Sequence, residues 1–205
     1  RSVWTDVSCG LNAGEYFPFG FGPGELPGDQ SMDDAKSMCF DGQVLIEDLE
    51  IVGAARIALS LASDQSRAQV ALRLCDLRPD GTSALIAHGF LNLRHRDGHD
   101  RALDMPLGEI VEVEVVLDQV AYRIPRGHRL RVSLSPSYFP FVWPDDKAVC
   151  LRLEAGSLQL PVLEGEDVAV AFDSAKGAIG IEFKRYSSRL ENKQVLRDGD
   201  VWRQE

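Results

Sequence analysis

A chain of 205 residues that is 44% hydrophobic and 26% charged carries enough apolar material to fold around a core and too much to stay disordered. Its 22 basic residues are scattered among 32 acidic ones for a net charge of −10, which excludes a basic face for nucleic acid. No apolar run approaches the roughly 18 residues that span a bilayer, and residues 1–20 lack the charged-then-apolar pattern of a signal peptide, so no membrane partner is expected.

Residues 1–39 form a lead-in rich in Gly, Pro and aromatics, and its first part, 1–28 with "EYFPFGFGPGELPG", is too irregular for a strand or helix. The stretch "DQSMDDAKS" predicts a short helical turn near residues 30–36, capped by Asp29 or Ser31, with Asp34 completing a Ser-x-x-Asp box. From about 40 to 162 the chain reads as strands. "ARIALSLAS", "AQVALRLCD", "EIVEVEVVLD" and "HRLRVSLS" alternate apolar and polar residues, the period of two that puts one face in a core and one in water. Turn signals separate them at Asp41-Gly42, Pro79-Asp80-Gly81, Asp97-Gly98 and Pro125-Arg126-Gly127, the spacing of an all-β sandwich. Residues 163–205 return to strand-like pieces, "VAVAF" and "AIGIEF", and a polar end that reads as edge strands or a hairpin. One domain over 1–205 is expected.

Catalytic constellations are sparse. No serine has the G-x-S-x-G flanks of a nucleophile elbow, so no catalytic residue is assigned. His95 and His99 lie four apart, but Asp97-Gly98 between them marks a turn, which predicts a solvated hairpin end rather than a metal site. Arg94 and Arg96 read as strand residues of equal parity, forming a charged outer face or a link to strand-edge carbonyls. Asp145 and Asp146 follow a Trp-Pro turn and read as a loop. Cys9, Cys39, Cys75 and Cys150 form no CxxC pair, which predicts reduced thiols, no metal or other cofactor, and a cytoplasmic protein.

Three stretches in order, "DQSMDDAKSMCFDGQVLIEDLEIVG", "LCDLRPDGTSALIAHGFLNLRHRDG" and "VEVVLDQVAYRIPRGHRLRVSLSPSYFP", resemble the C-terminal domain of the serine hydrolases that include X-prolyl dipeptidyl peptidases, cocaine esterase and α-amino-acid ester hydrolases. The resemblance covers about residues 10–162. It implies a jelly-roll (galactose-binding-like) β-sandwich beside an α/β-hydrolase domain that carries the Ser, Asp and His. It also implies that this chain is a fragment of an enzyme cleaving an ester or an X-Pro amide. On that reading the sandwich buttresses the hydrolase domain, completes one wall of its pocket and contributes oligomer contacts.

Two aromatic loops, "EYFPFGFGPG" at 15–24 and "SYFPFVWP" at 137–144, stand out from the strand pattern. A folded domain rarely leaves so much apolar ring surface in water. Tyr16, Phe17, Phe19, Tyr138, Phe139 and Trp143 are therefore the candidates for the substrate pocket or domain interface, with both loops expected on one rim and part of Phe17, Phe19 or Trp143 exposed. The alternative is a carbohydrate-binding module in which these rings, with Phe21 and Phe141, form a sugar-stacking platform.

Overall fold

Along one strand Val113, Val115 and Leu117 are buried while Glu112, Glu114 and Val116 face solvent, so the period of two seen in the sequence survives intact. The computed structural model describes residues 1–19, 24–163, 165, 195–198 and 201–204. Its strands are β1 (Ser2–Trp4), β2 (Met38–Asp41), β3 (Leu49–Ser63), β4 (Gln69–Leu77), β5 (Ser83–Asn92), β6 (Val111–Ile124), β7 (Arg129–Ser135) and β8 (Cys150–Gln159), with one helical turn, α1 (Ser31–Asp34). They make two four-stranded antiparallel sheets, β1-β8-β3-β6 and β2-β7-β4-β5. Two facing sheets with this interleaved order are a jelly-roll sandwich.

Between the sheets lie Ile57, Leu59 and Leu61 of β3, Leu72 and Leu74 of β4, and Leu134 of β7. Gly89 on β5 brings the sheets together at one side, because a Cβ there would stand 2.7 Å from the Leu117 side chain of β6. The β4–β5 connection turns as its Pro-Asp-Gly predicts. Gly81 takes φ +89°, Arg78 N donates to Thr82 O at 2.9 Å, and the Asp80 carboxylate receives the Thr82 amide and hydroxyl.

Several expectations change. Residues 1–28 contribute a strand: β1 pairs with β8 through Ser2↔Arg152, Val3↔Leu151 and Trp4↔Cys150. The capping box does not form, since Asp29 rather than Ser31 holds the start of the turn, accepting from the Ser31 amide and hydroxyl, and Asp34 is engaged elsewhere. Arg94 and Arg96 lie in and after a 3₁₀ turn, Leu93–His95, rather than on a strand. Arg96 does link carbonyls, donating to Leu93 O and Leu103 O. The largest departure concerns β4, which is buried on both faces rather than one.

β9 (Val195–Asp198) and β10 (Val201–Gln204) pair antiparallel with each other in a separate two-stranded sheet, so they form a hairpin rather than extra edges of the sandwich. The "VAVAF" and "AIGIEF" pieces fall outside the described residues.

Candidate functional site

The second face of β4 is covered by described parts of the lead-in, which form a third layer outside the β2-β7-β4-β5 sheet: Cys9 and Ala13 pack with Ala71 of β4, and Asp34 and Ser37 bond Arg73. Arg73 of β4 is 1% exposed beneath it. Its guanidinium donates to the Asp34 carboxylate at 2.9 Å and the Ser37 hydroxyl at 2.9 Å, and lies 4.9 Å from the centre of the Tyr138 ring. Asp34 also accepts from the Ser133 hydroxyl at 2.7 Å and from Arg131 at 3.1 Å, and Arg131 in turn grips Asp41. A buried guanidinium is tolerable only with such a partner.

Neighbouring contacts pin the lead-in. The Asp33 carboxylate accepts the amides of Gly10 and Asn12, each at 3.0 Å. Gln30 is fully buried, donating to the carbonyls of Asn12 and Gly28 and accepting the Tyr138 hydroxyl at 2.6 Å. Burial pushes the Tyr138 phenol above its ordinary value and the Cys9 thiol above its own. Gly10, at φ +111°, carries no side chain because a Cβ would overlap the Phe139 backbone, whose amide donates to Cys9 O at 3.0 Å. The lead-in and the 136–144 loop are thus stitched together.

What they present outward is aromatic. Tyr16, Phe17, Phe19 and Trp143 are 71%, 70%, 69% and 60% exposed. Tyr16 meets Phe141 edge-on at 6.0 Å, so both loops lie on one rim. Phe141 continues inward to His88, Phe90 and Tyr138, while Trp143 stands edge-on to Phe139 at 4.9 Å. Of the six candidate residues, Tyr138 and Phe139 are 0% and 4% exposed and belong to this chain's own interior, because the lead-in closes over them. The other four form the outer surface. Phe21 lies outside the described residues.

The polar side chains outside this cluster make structural links. His88 Nδ1 lies 2.6 Å from Asp118 across β5 and β6, and His128 Nδ1 lies 2.7 Å from the buried Asp76, which also accepts from Tyr122. The His95 and His99 rings are 5.4 Å apart, and among the described residues no group of three or more His, Cys, Asp or Glu could hold a metal ion. Asp145 pairs with Arg67 at 3.5 Å in a loop. All four cysteines are free thiols. Among the described residues no helix is long and apolar enough to cross a membrane.

Known proteins share this architecture. An aminopeptidase from a marine sediment Thaumarchaeota archaeon superposes with a TM-score of 0.70 at 16% identity, over 80% of this chain and 33% of that one. An α-amino acid ester hydrolase superposes with a TM-score of 0.66 at 17% identity, over 80% and 32%. Cocaine esterase from Rhodococcus sp. (strain MB1 Bresler) is 27% identical over 103 residues, which are 50% of this chain and 18% of the esterase. The chain therefore spans a third or less of these relatives. The model of the X-Pro dipeptidyl-peptidase C-terminal non-catalytic domain matches residues 8–178, and the chain belongs to that family.

Proposed function

We propose that this chain is the C-terminal β-sandwich domain of a serine acyl hydrolase acting on an ester or an X-Pro amide, and that its aromatic rim is the seat of the α/β-hydrolase domain. In such an enzyme a serine attacks the carbonyl, an acyl-enzyme forms, and backbone donors hold the oxyanion. Those groups belong to the hydrolase domain. The sandwich supplies a rigid wall, with Tyr16, Phe17 and Phe19 reaching toward the substrate pocket. Its free thiols favour a cytoplasmic setting.

One observation carries this reading: Tyr16, Phe17 and Phe19 on one loop are each about 70% exposed, although the chain leading into that loop is held by hydrogen bonds from Gly10 and Asn12 to Asp33 and from Gln30 to Asn12 O. Clustered aromatic side chains are the residue type that anchors interfaces. A sugar platform fits less well, because the Phe17 and Phe19 rings stand at 84° to each other and offer no common flat face.

The test is kinetic. In the intact enzyme Phe19→Ala and Phe17→Ala are expected to lower kcat/KM about 10-fold or more with an unchanged melting curve, mainly through KM. Unchanged kcat/KM in both variants and in Trp143→Ala defeats the assignment.

A further inference from the structure

The sandwich is pinched on one side and open on the other. Where β5 meets β6 the sheets touch, since a Cβ on Gly89 would lie 2.7 Å from the Leu117 side chain and 3.0 Å from Val116 O. On the opposite side the outermost strands are β1 and β2, only three and four residues long, and there a cavity of about 180 Å³ lies between β2 and β7 of one sheet and β8 of the other. Its floor is Ile57 and Leu59 of β3, Leu72 of β4 and Leu134 of β7, each at most 4% exposed. Phe40, 37% exposed, marks its mouth together with the half-buried Val132 and Leu158. The cavity therefore reaches from solvent to the centre of the core.

Register accounts for this lining. Phe40 pairs with Val132 and Leu134 with Leu72 in one sheet, and Ile57 pairs with Leu158 in the other, so apolar rows from both sheets meet across the same space. Ser157 is the one polar residue of the lining, and no charged side chain belongs to it. The buried polar atoms that lack a hydrogen-bond partner among the described residues, on Arg73, Ser83 and Arg94, lie elsewhere. A charged guest would shed its hydration here with nothing in exchange, and an ordered water needs two to four polar partners that the walls do not supply. An apolar cavity of about 150 Å³ lined by Leu, Ile and Phe takes up benzene, so both the size and the chemistry of this one suit a single ring.

We propose that this cavity is a binding site for a small neutral apolar molecule, one aromatic ring in size, which enters past Phe40 and lodges between β3 and β7. The site is separate from the aromatic rim: Leu72 points into it, whereas the adjacent Arg73 points to the other face of β4 and the lead-in. It does not depend on the reading of the rim as a domain interface.

Methyl NMR and thermal unfolding of this chain with benzene and toluene test it. Saturable shifts are expected at the methyls of Ile57, Leu59, Leu72, Val132 and Leu134, with a dissociation constant of about 1 mM or tighter. Ligand at ten times that constant shifts the folding equilibrium about 11-fold, a rise of about 3–6 °C in melting temperature for a chain of this size. Benzoate and benzylammonium, of the same ring size but charged, should leave those methyls and the melting temperature unmoved. Val132→Phe places a ring in the cavity and should weaken benzene binding at least about 10-fold. Intermolecular NOEs from the ligand ring to the Leu59 and Leu134 methyls locate it in the wild-type protein, so the result stands whether or not that variant folds. The proposal is overturned if neither benzene nor toluene gives a saturable shift up to its solubility, if the NOEs and shifts gather at Tyr16 and Phe141 instead of the core, if benzoate binds as tightly as benzene, or if a folded Val132→Phe binds benzene as wild type does.

Discussion

Asp34 is the carboxylate on which the third layer depends, and Asp34→Asn measures that dependence. The substitution keeps the side chain's shape and an acceptor oxygen but removes its charge, leaving the Arg73 guanidinium, 1% exposed, without the Asp34 carboxylate and among the neutral amide that replaces it, the Ser37 hydroxyl, the Cys9 sulfur and the Tyr138 face. Breaking a buried pair by removing one partner costs about 3–5 kcal/mol. For a chain of 205 residues each kcal/mol lowers the melting temperature by about 2–4 °C, so a fall of about 6–20 °C is expected. Urea unfolding followed by Trp fluorescence gives the free energy directly. Glu114→Gln is the control: its partner Arg56 stands half-exposed, and such pairs contribute about 1 kcal/mol or less. Adding Arg73→Met to Asp34→Asn should recover part of the loss, since the orphaned charge is then gone. A cost for Asp34→Asn no larger than that of Glu114→Gln would refute the claim that Arg73 is held by this carboxylate.

Asp41 has its carboxyl held below its ordinary value by the hydrogen bonds from Arg131, so it stabilises the fold above the unfolded-state value near about 4 and loses that contribution as pH falls through the lower folded value. The stability gap between wild type and Asp41→Asn should therefore be greatest at neutral pH and close on acidification; a gap that widens in acid contradicts the pairing. Burial raises all four thiols, Cys75 to about 12, so Ellman's reagent should find Cys150 first and Cys9 and Cys75 only on unfolding, with four thiols in denaturant. Rapid labelling of Cys75 in the native state would show that β4 is not covered. Gly10→Ala should cost more than the roughly 1–2 kcal/mol of a positive φ alone, because the Phe139 backbone must also move; a smaller loss by chemical denaturation means the two loops are not locked there.

Much of the sandwich was legible in the sequence because its strands obey simple rules. β6 shows its buried side through the Glu112 and Glu114 alternation, and the β4–β5 hairpin shows its turn through Pro79, Asp80 and Gly81. The third layer was harder to see. Alternation assigns Arg73 to water, since it counts a charge as an outward residue, whereas here a second layer lies on that face. A signal was present: apart from Arg73, Val70 to Cys75 is an unbroken apolar run, which is the pattern of a strand covered on both sides. An arginine within such a run requires a buried acid, and Asp33-Asp34 is a pair available to supply one. The exposure of Phe17, Phe19 and Trp143 was legible from their place on Pro- and Gly-rich loops outside the strand pattern, but the burial of Tyr138 and Phe139 was not, because only the tertiary fold lays the lead-in over them.

The contacts of Asp34 also bear on the order in which the molecule assembles. Its partners Arg73 and Arg131 lie 39 and 97 residues further along the chain, on β4 and β7, which are neighbours only within a formed sheet. Contacts of such span carry a high loop-closure cost until the strands between them have paired. The lead-in therefore docks late, onto a sandwich that is already in place. Weakening the Asp34 cluster should then hasten unfolding while leaving the folding rate almost untouched, which makes this layer a latch on the native state rather than a seed for it.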